Sequence, residues 1–229
     1  MSLQAVVFDF DGLILDTEWP IYEMAAASFA GWDVALRVED WAQVVGLADA
    51  DHDWFDLLAE QLGFDIAKAD FQVAYRAQDR SHQVQIQPLP GVIHLLDELR
   101  AERVPVAVAS SSPLEWLDTH LARVGLRDRF TEVVGVDHGE VGGLGKPDPA
   151  VYRVACAGLG VEPRDAVALE DSAHGVAAAW AAGLHAVAVP NRITRFSIFD
   201  HATLTVASLE ELTVADLRKL VDETTKEAL

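Results

Sequence analysis

Carboxylates, hydroxyls and one lysine stand where apolar runs of this chain stop, and their types suit the handling of a phosphate. Ala5-Val-Val-Phe-Asp9-Phe-Asp11-Gly12 is rich in β-formers and ends in two carboxylates and a glycine, the pattern of a buried strand opening into a turn. An ionised carboxylate beside buried chain is costly unless paired, hydrogen-bonded or metal-bound. Asp is also common in turns, so Asp-x-Asp alone equally describes a solvated turn. Three further groups decide the matter. Ser110-Ser111-Ser112 closes a second apolar run, Gly145-Lys146-Pro147 follows a third, and Glu170-Asp171-Ser172 closes a fourth. Open α/β sheets bind ligands outside the carboxyl ends of their strands, and all four groups belong to such ends.

Each residue type has a use in phosphoryl transfer. Asp9 can attack phosphorus and form an aspartyl phosphate. Attack by an anion on an anion meets repulsion, which a divalent cation offsets. Mg²⁺ prefers oxygen and commonly takes one or two carboxylates plus water and substrate oxygens; Asp9 and Asp171 suit it, with Glu170 in support. Asp11 can protonate a leaving alkoxide and then activate water. Ser110, with Ser111 beside it, can donate to phosphate, and Lys146 supplies a positive point charge. Ser112 reads as a helix N-cap with Pro113 at the first helical position. Gly142-Gly-Leu-Gly-Lys146 imitates a nucleotide-binding loop, but Glu140 occupies the place of its upstream glycine and Pro147 that of its Ser/Thr, so that reading fails.

The elements that must carry these groups alternate. Helical patterns at 92–100, 113–124, 148–159 and 173–182 alternate with apolar runs at 104–110, 131–136, 166–170 and 184–189. Such alternation predicts an α/β fold, a parallel sheet with helices on both faces. Residues 17–85 differ. They hold four of the six tryptophans and read as amphipathic helices without a strand, with Asp16 or Thr17 as the first cap. Pro88, Pro90 and Gly91 punctuate the return. The expected division is a core of 1–16 and 86–229 around a helical insert of 17–85, with a helical tail from 209.

Composition narrows the partners. The chain has 229 residues, 51% of them hydrophobic, and a formal net charge of −20, which opposes binding to nucleic acid or anionic membrane. The only cysteine, Cys156, lies in a helical pattern without a nearby base and reads as a buried structural thiol. No apolar run reaches bilayer length and no secretory signal is visible, so a cytoplasmic protein is expected.

The ordered motifs, Asp9-Phe-Asp-Gly-Leu-Ile-Leu-Asp-Thr-Glu18, Ser110, Lys146-Pro-Asp-Pro and Glu170-Asp171-Ser-x-x-Gly175, resemble those of the haloacid dehalogenase superfamily, in its β-phosphoglucomutase-like and phosphoglycolate-phosphatase-like branch. The resemblance covers nearly the whole chain. It implies a Rossmann-like core, a helical cap domain formed by the insert, Mg²⁺-dependent attack by Asp9, and a metal contact from the backbone carbonyl of Asp11. A halide leaves without a proton, so Asp11 favours phosphoryl transfer over dehalogenation. Phosphomutases of this branch use a histidine near the hinge and an arginine in the cap; ungapped counting places these at Ile21 and Asp49, with His52 nearby. The expected activity is therefore hydrolysis of a small phosphorylated metabolite, with a phosphomutase as the alternative, by a monomer or homodimer. Thr17, Glu18, Trp19 and residues 47–52 are the expected substrate-facing positions of the cap.

Overall fold

The computed structural model of the protein describes residues 2–45, 54–78 and 87–227. Strand β1 (Ala5–Phe8) leads into helices α1 (Glu18–Ala30), α2 (Val38–Trp41), α3 (Trp54–Leu62) and α4 (Lys68–Arg76). The chain then alternates through α5 (Val92–Ala101), β2 (Val106–Ala109), α6 (Leu114–Arg123), β3 (Glu132–Val134), α7 (Ala150–Leu159), β4 (Ala166–Glu170), α8 (Ala173–Ala182), β5 (His185–Ala188), β6 (Leu204–Thr205) and α9 (Val214–Glu227). The strands form one parallel sheet in the order β3-β2-β1-β4-β5-β6. This is a Rossmann-like α/β fold, and its order reverses at β1, so the crevice for a ligand opens at the end of that strand.

Side-chain alternation builds the two faces. Val6 and Phe8 join Leu95 and Leu99 of α5, Leu117 and Leu121 of α6, and Leu217 of α9. Ala5 and Val7 join Val151 and Ala155 of α7 and Val176 and Ala179 of α8. Successive strand residues point to opposite faces, and both faces of β1 are fully buried. The second face is alanine-rich along β2, β4 and β5 (Ala107, Ala109, Ala166, Ala168, Ala186, Ala188), and small side chains let helices approach the sheet closely. Cys156 is buried there, and its thiol is pushed up to about 12 by that burial.

Helices α1 to α4 share a separate apolar cluster around Phe29, Phe55 and Phe71, with Trp41 and, from the distant loop after β5, Ile193. Phe29 and Phe71 lie 4.4 Å apart between ring centroids. Among the described residues, no helix is long and apolar enough to cross a membrane.

Several local expectations change. A sixth strand, β6, adds to the sheet edge; two residues are too few for any periodic signal. Helix α6 begins at Leu114, because Pro113 is extended (φ −64°, ψ 149°) and the N–H of Leu114 donates to Asp137 Oδ1 instead of to a serine cap. Thr17 occupies the N-cap position of α1 without capping it, and Asp16 pairs with Arg192 at 2.6 Å. The tail is a 3-10 turn at Leu209–Glu211 followed by α9, rather than one continuous helix.

Candidate active site

Asp9 is the first residue beyond β1, held by its N–H donating to Leu169 O at 2.9 Å on the neighbouring β4. Glu170 ends β4 and Asp171 follows it, so pairing of β1 with β4 brings three carboxylates to one sheet edge. One oxygen of each of Asp9, Glu170 and Asp171 lies within 4.8 Å of the others, and all three residues are buried. Among the described residues a single ammonium faces them. Lys146 Nζ donates to Asp9 Oδ1 and, at 2.5 Å, to Glu170 Oε1. Tyr152 OH also donates to Glu170 Oε1, at 2.7 Å, while the backbone N–H and hydroxyl of Ser172 reach Oε2 at 3.1 Å. Glu170 is thus a fully satisfied anchor. Helix α8 starts against it, capped by Ser172 accepting from Gly175 N–H. A β-carbon on Gly175 would run into the Glu170 carboxylate.

One cation cannot balance three buried anions. Burial first, then Glu170, pushes the Asp9 carboxyl up to about 8, against the partial opposition of Lys146. Asp171 is likewise pushed well above the carboxylate range by burial and by Asp9 and Glu170. Burial works against the charged form of Lys146, but the facing Asp9 and Glu170 outweigh it and hold the ammonium protonated. The donor set is all oxygen, negatively charged and short of positive charge, which fits a divalent cation such as Ca²⁺ or Mg²⁺.

Asp11 has different neighbours. Its Oδ1 accepts from Thr17 Oγ1 at 2.6 Å and Trp116 Nε1 at 3.0 Å; its Oδ2 accepts from Ser112 Oγ at 2.6 Å and Ser110 Oγ at 3.4 Å. Asp9, Asp11, Glu18, Ser110, Ser111, Ser112, Lys146 and Asp171 line one cavity of about 130 Å³. A wider groove of about 840 Å³, lined by Arg192, Arg195 and Ser208 among others, lies alongside and lacks the carboxylate cluster.

The family model described as haloacid dehalogenase-like hydrolase matches residues 6–189, most of the chain. The chain belongs to the haloacid dehalogenase-like hydrolases. It is 34% identical over 211 residues to YhcW of Bacillus subtilis (strain 168), covering 91% of this chain and 94% of that protein. It is 33% identical over 225 residues to hexitol phosphatase B of Escherichia coli (strain K12), covering 94% and 97%. Among solved structures, a point mutant of CbbY from Rhodobacter sphaeroides, in complex with xylulose-(1,5)bisphosphate, superposes with a TM-score of 0.72 at 27% identity, covering 92% of this chain and 96% of CbbY.

Within this haloacid dehalogenase-like scaffold, the residues expected from sequence converge. Ser110 and Ser111 reach the same cavity as Lys146, and Ser111 Oγ accepts from the backbone N–H of Lys146 at 3.0 Å, tying the lysine loop to the serine turn. The carboxylate cluster comprises Asp9, Glu170 and Asp171, while the side chain of Asp11 turns to neutral donors. Ser112 is the clearest correction: its hydroxyl binds Asp11 rather than capping α6. Thr17 is corrected in the same way, since its hydroxyl serves Asp11 rather than α1.

Glu18 lines the cavity, and its carboxyl is pushed up to about 8 by burial, then by Asp11, Asp9 and Asp16. Trp19 packs under Arg192, whose guanidinium lies 3.9 Å from the ring centroid. Residues 47–52, with Asp49 and His52, lie outside the described residues. Ile21 packs against the aromatic cluster of α1 to α4.

Three contributors escaped sequence reasoning. Tyr152 sits in an apolar helical pattern where only the fold reveals its reach to Glu170. Trp116 has the same history. Asn191 carried a usable signal, because it follows β5 at the same sheet edge. Its Nδ2 donates to Asp171 Oδ2 at 2.7 Å and Gly12 O at 3.1 Å.

Proposed function

We propose that this chain is a Mg²⁺-dependent phosphatase that hydrolyses a small phosphorylated metabolite through an aspartyl phosphate on Asp9. The observation that carries the reading is the buried group of Asp9, Glu170 and Asp171, under-neutralised by Lys146 and sharing its cavity with Asp11 and the serine turn. Asp9 and Asp171 hold the cation in this reading, with Glu170 in support and the backbone carbonyl of Asp11 as a further ligand. Bound Mg²⁺ supplies positive charge that offsets repulsion between Asp9 and the substrate phosphate. Ser110, Ser111 and Lys146 receive the phosphate oxygens. Asp11 gives a proton to the departing alcohol and takes one from the water that cleaves the intermediate.

A relative's name supports a substrate class. Hexitol phosphatase B carries a sugar-alcohol phosphate in its name, so phosphate esters of sugars and polyols are the first candidates. Helices α1 to α4, with their own aromatic cluster, support the division into a core of 1–16 and 86–229 and a cap of 17–85, with Glu18 and Trp19 on the substrate side. Hydrolysis is favoured over phosphomutase activity because Ile21, at the counted position of the mutase histidine, has no proton to exchange. The lone buried Cys156 suits a cytoplasmic setting.

A phosphate-release screen over sugar and polyol phosphates, with and without Mg²⁺, tests the reading. Release that needs Mg²⁺, stops with EDTA and returns on resupply is the expected result. No release from any ester in the presence of Mg²⁺ defeats it. Interconversion of hexose 1- and 6-phosphates without net phosphate release would transfer the site to the mutase reading.

A further inference from the structure

We propose that Trp116 is a positioning residue for Asp11: its indole N–H reserves Oδ1 as an acceptor and leaves Oδ2 as the oxygen through which a proton is exchanged with substrate. The inference rests on the phosphatase reading above and adds to it which oxygen acts and what selects it. Oδ1 accepts from two donors, Thr17 Oγ1 at 2.6 Å and Trp116 Nε1 at 3.0 Å. Oδ2 faces the hydroxyls of Ser112 and Ser110. The four partners are not equivalent. A hydroxyl can rotate to donate or accept, so Thr17, Ser110 and Ser112 tolerate a proton on the oxygen they touch. An indole N–H only donates. Protonating Oδ1 would weaken it as the acceptor of the fixed Trp116 N–H, whereas a proton on Oδ2 meets only hydroxyls that can turn to accept it, in the cavity that these serines line.

Trp116 is itself held firmly. Its ring lies 3.9 Å from that of His120 between centroids, and His120, buried one helical turn later, places Nδ1 2.9 Å from Trp116 O. The His120 ring in turn meets Phe10, the residue between the two aspartates, at 6.4 Å. Helix α6 thereby presents a rigid donor to the turn after β1. Simple core packing would explain the ring but not the alignment of its N–H on a carboxylate oxygen.

The chemistry balances as follows. An Asp9 oxygen bonds to phosphorus as the ester P–O bond breaks. The bonding electrons leave on the alcohol oxygen, which takes the proton from Asp11 Oδ2. Water then attacks the aspartyl phosphate, its proton passes to Asp11 Oδ2, and the acyl–phosphate bond breaks to regenerate the Asp9 carboxylate and release phosphate.

Leaving-group dependence tests the proposal, because p-nitrophenolate departs without a proton whereas a phenol needs one more and an alcohol most. kcat/KM is measured with Mg²⁺ for wild type and Trp116→Phe on p-nitrophenyl phosphate, phenyl phosphate and sorbitol 6-phosphate. Phe keeps a ring against His120 and removes the donor together with part of the ring's volume, a packing change that acts on all three esters alike. The expected loss is about tenfold for sorbitol 6-phosphate, about threefold for phenyl phosphate and under about twofold for p-nitrophenyl phosphate. An equal loss on all three, or none, overturns the positioning role and leaves the phosphatase reading intact. If wild type hydrolyses none of the three, the two proteins are compared on an alkyl ester found in the wider screen, where an unchanged kcat/KM overturns the positioning role; wild type that releases phosphate from no ester overturns that reading and this proposal together. If Trp116→Phe does not melt cooperatively, the indole N–H resonance of Trp116 in ¹⁵N-labelled protein is compared between wild type and Asp11→Ala. A shifted resonance supports the contact, and an unmoved one overturns it.

Discussion

Asp9 and Asp11 stand two residues apart on one turn, yet the protein surrounds them in opposite ways. Asp9 lies among ionisable groups, Lys146, Glu170 and Asp171, all buried. Asp11 is half-exposed, and its hydrogen-bond partners among the described residues are neutral donors, three hydroxyls and an indole. The two residues have the same side chain, so environment alone can separate the work proposed for each, as in other paired-carboxylate sites. Around Asp9 the excess of buried acidic groups over one lysine makes room for a cation, which suits the proposed role of Asp9 as nucleophile. Around Asp11 the hydroxyls of Thr17, Ser110 and Ser112 can rotate to donate or accept. In the proposed reaction a nucleophile and a proton carrier are drawn from identical residues.

Exchanging one carboxylate at a time is the strongest way to break the comparison. Asp9→Asn removes the attacking oxygen, and turnover is expected to fall by about 10³-fold or more on every ester. Residual activity near wild type would mean that Asp9 is not the nucleophile. Asp11→Asn should instead discriminate. Loss of general acid help costs about 10²-fold on an alkyl phosphate, with a smaller loss on p-nitrophenyl phosphate in kcat/KM. Equal losses for the two ester types would erase the distinction between the aspartates.

Much of this arrangement is legible in the sequence, for reasons that also mark where legibility stops. Short apolar runs report β1, β2, β4 and β5, because a strand buried on both faces needs no polar alternation. The carboxylates, Ser110 and Lys146 are legible because polar residues that interrupt such runs at strand ends need a reason to be there. Ser112 and Thr17 mislead because a hydroxyl before a helix has a local explanation, the N-cap, and the competing partner, Asp11, is visible only after folding. Trp116 and Tyr152 are hidden by their size: each satisfies the apolar pattern of its helix while its one polar atom reaches the site. Different roles for Asp9 and Asp11 are expected from the motif, but the different surroundings of the two belong to the tertiary structure, since both follow the same strand.

The anchor beneath Asp9 offers a smaller effect on stability rather than on chemistry. Gly175 lets the first turn of α8 meet Glu170, and an added methyl would contact that carboxylate. Gly175→Ala is expected to cost about 2 kcal/mol through overpacking, lowering Tm by roughly 5 °C. It should also weaken Mg²⁺ binding by disturbing Glu170. Unchanged melting with unchanged Mg²⁺ affinity would show that Glu170 can shift freely and that the charged cluster is looser than its hydrogen bonds indicate.

The smallest predicted effect sharpens the contrast most directly, because it reads the Asp9 cluster without any substrate. In the metal-free protein Asp9 is raised from 3.8 to about 8, and Asp171 is raised as well. A carboxyl raised on folding binds protons more tightly in the folded state, so its contribution to stability is fully present below the unfolded value. That contribution is lost as pH rises through the folded value. For Asp9 the window runs from about 4 to about 8. Mg²⁺ needs deprotonated ligands, so at pH 6 it must displace protons, whereas at pH 8 it meets carboxylates that already repel one another. The gain in Tm on adding saturating Mg²⁺ should therefore grow from pH 6 to pH 8, by a few degrees, and shrink in Asp9→Asn. Asp11→Asn, whose side chain lies among neutral donors, should keep most of that growth. A Mg²⁺ shift that is flat across this range, or that collapses equally in both variants, would place the two aspartates in one electrostatic unit after all.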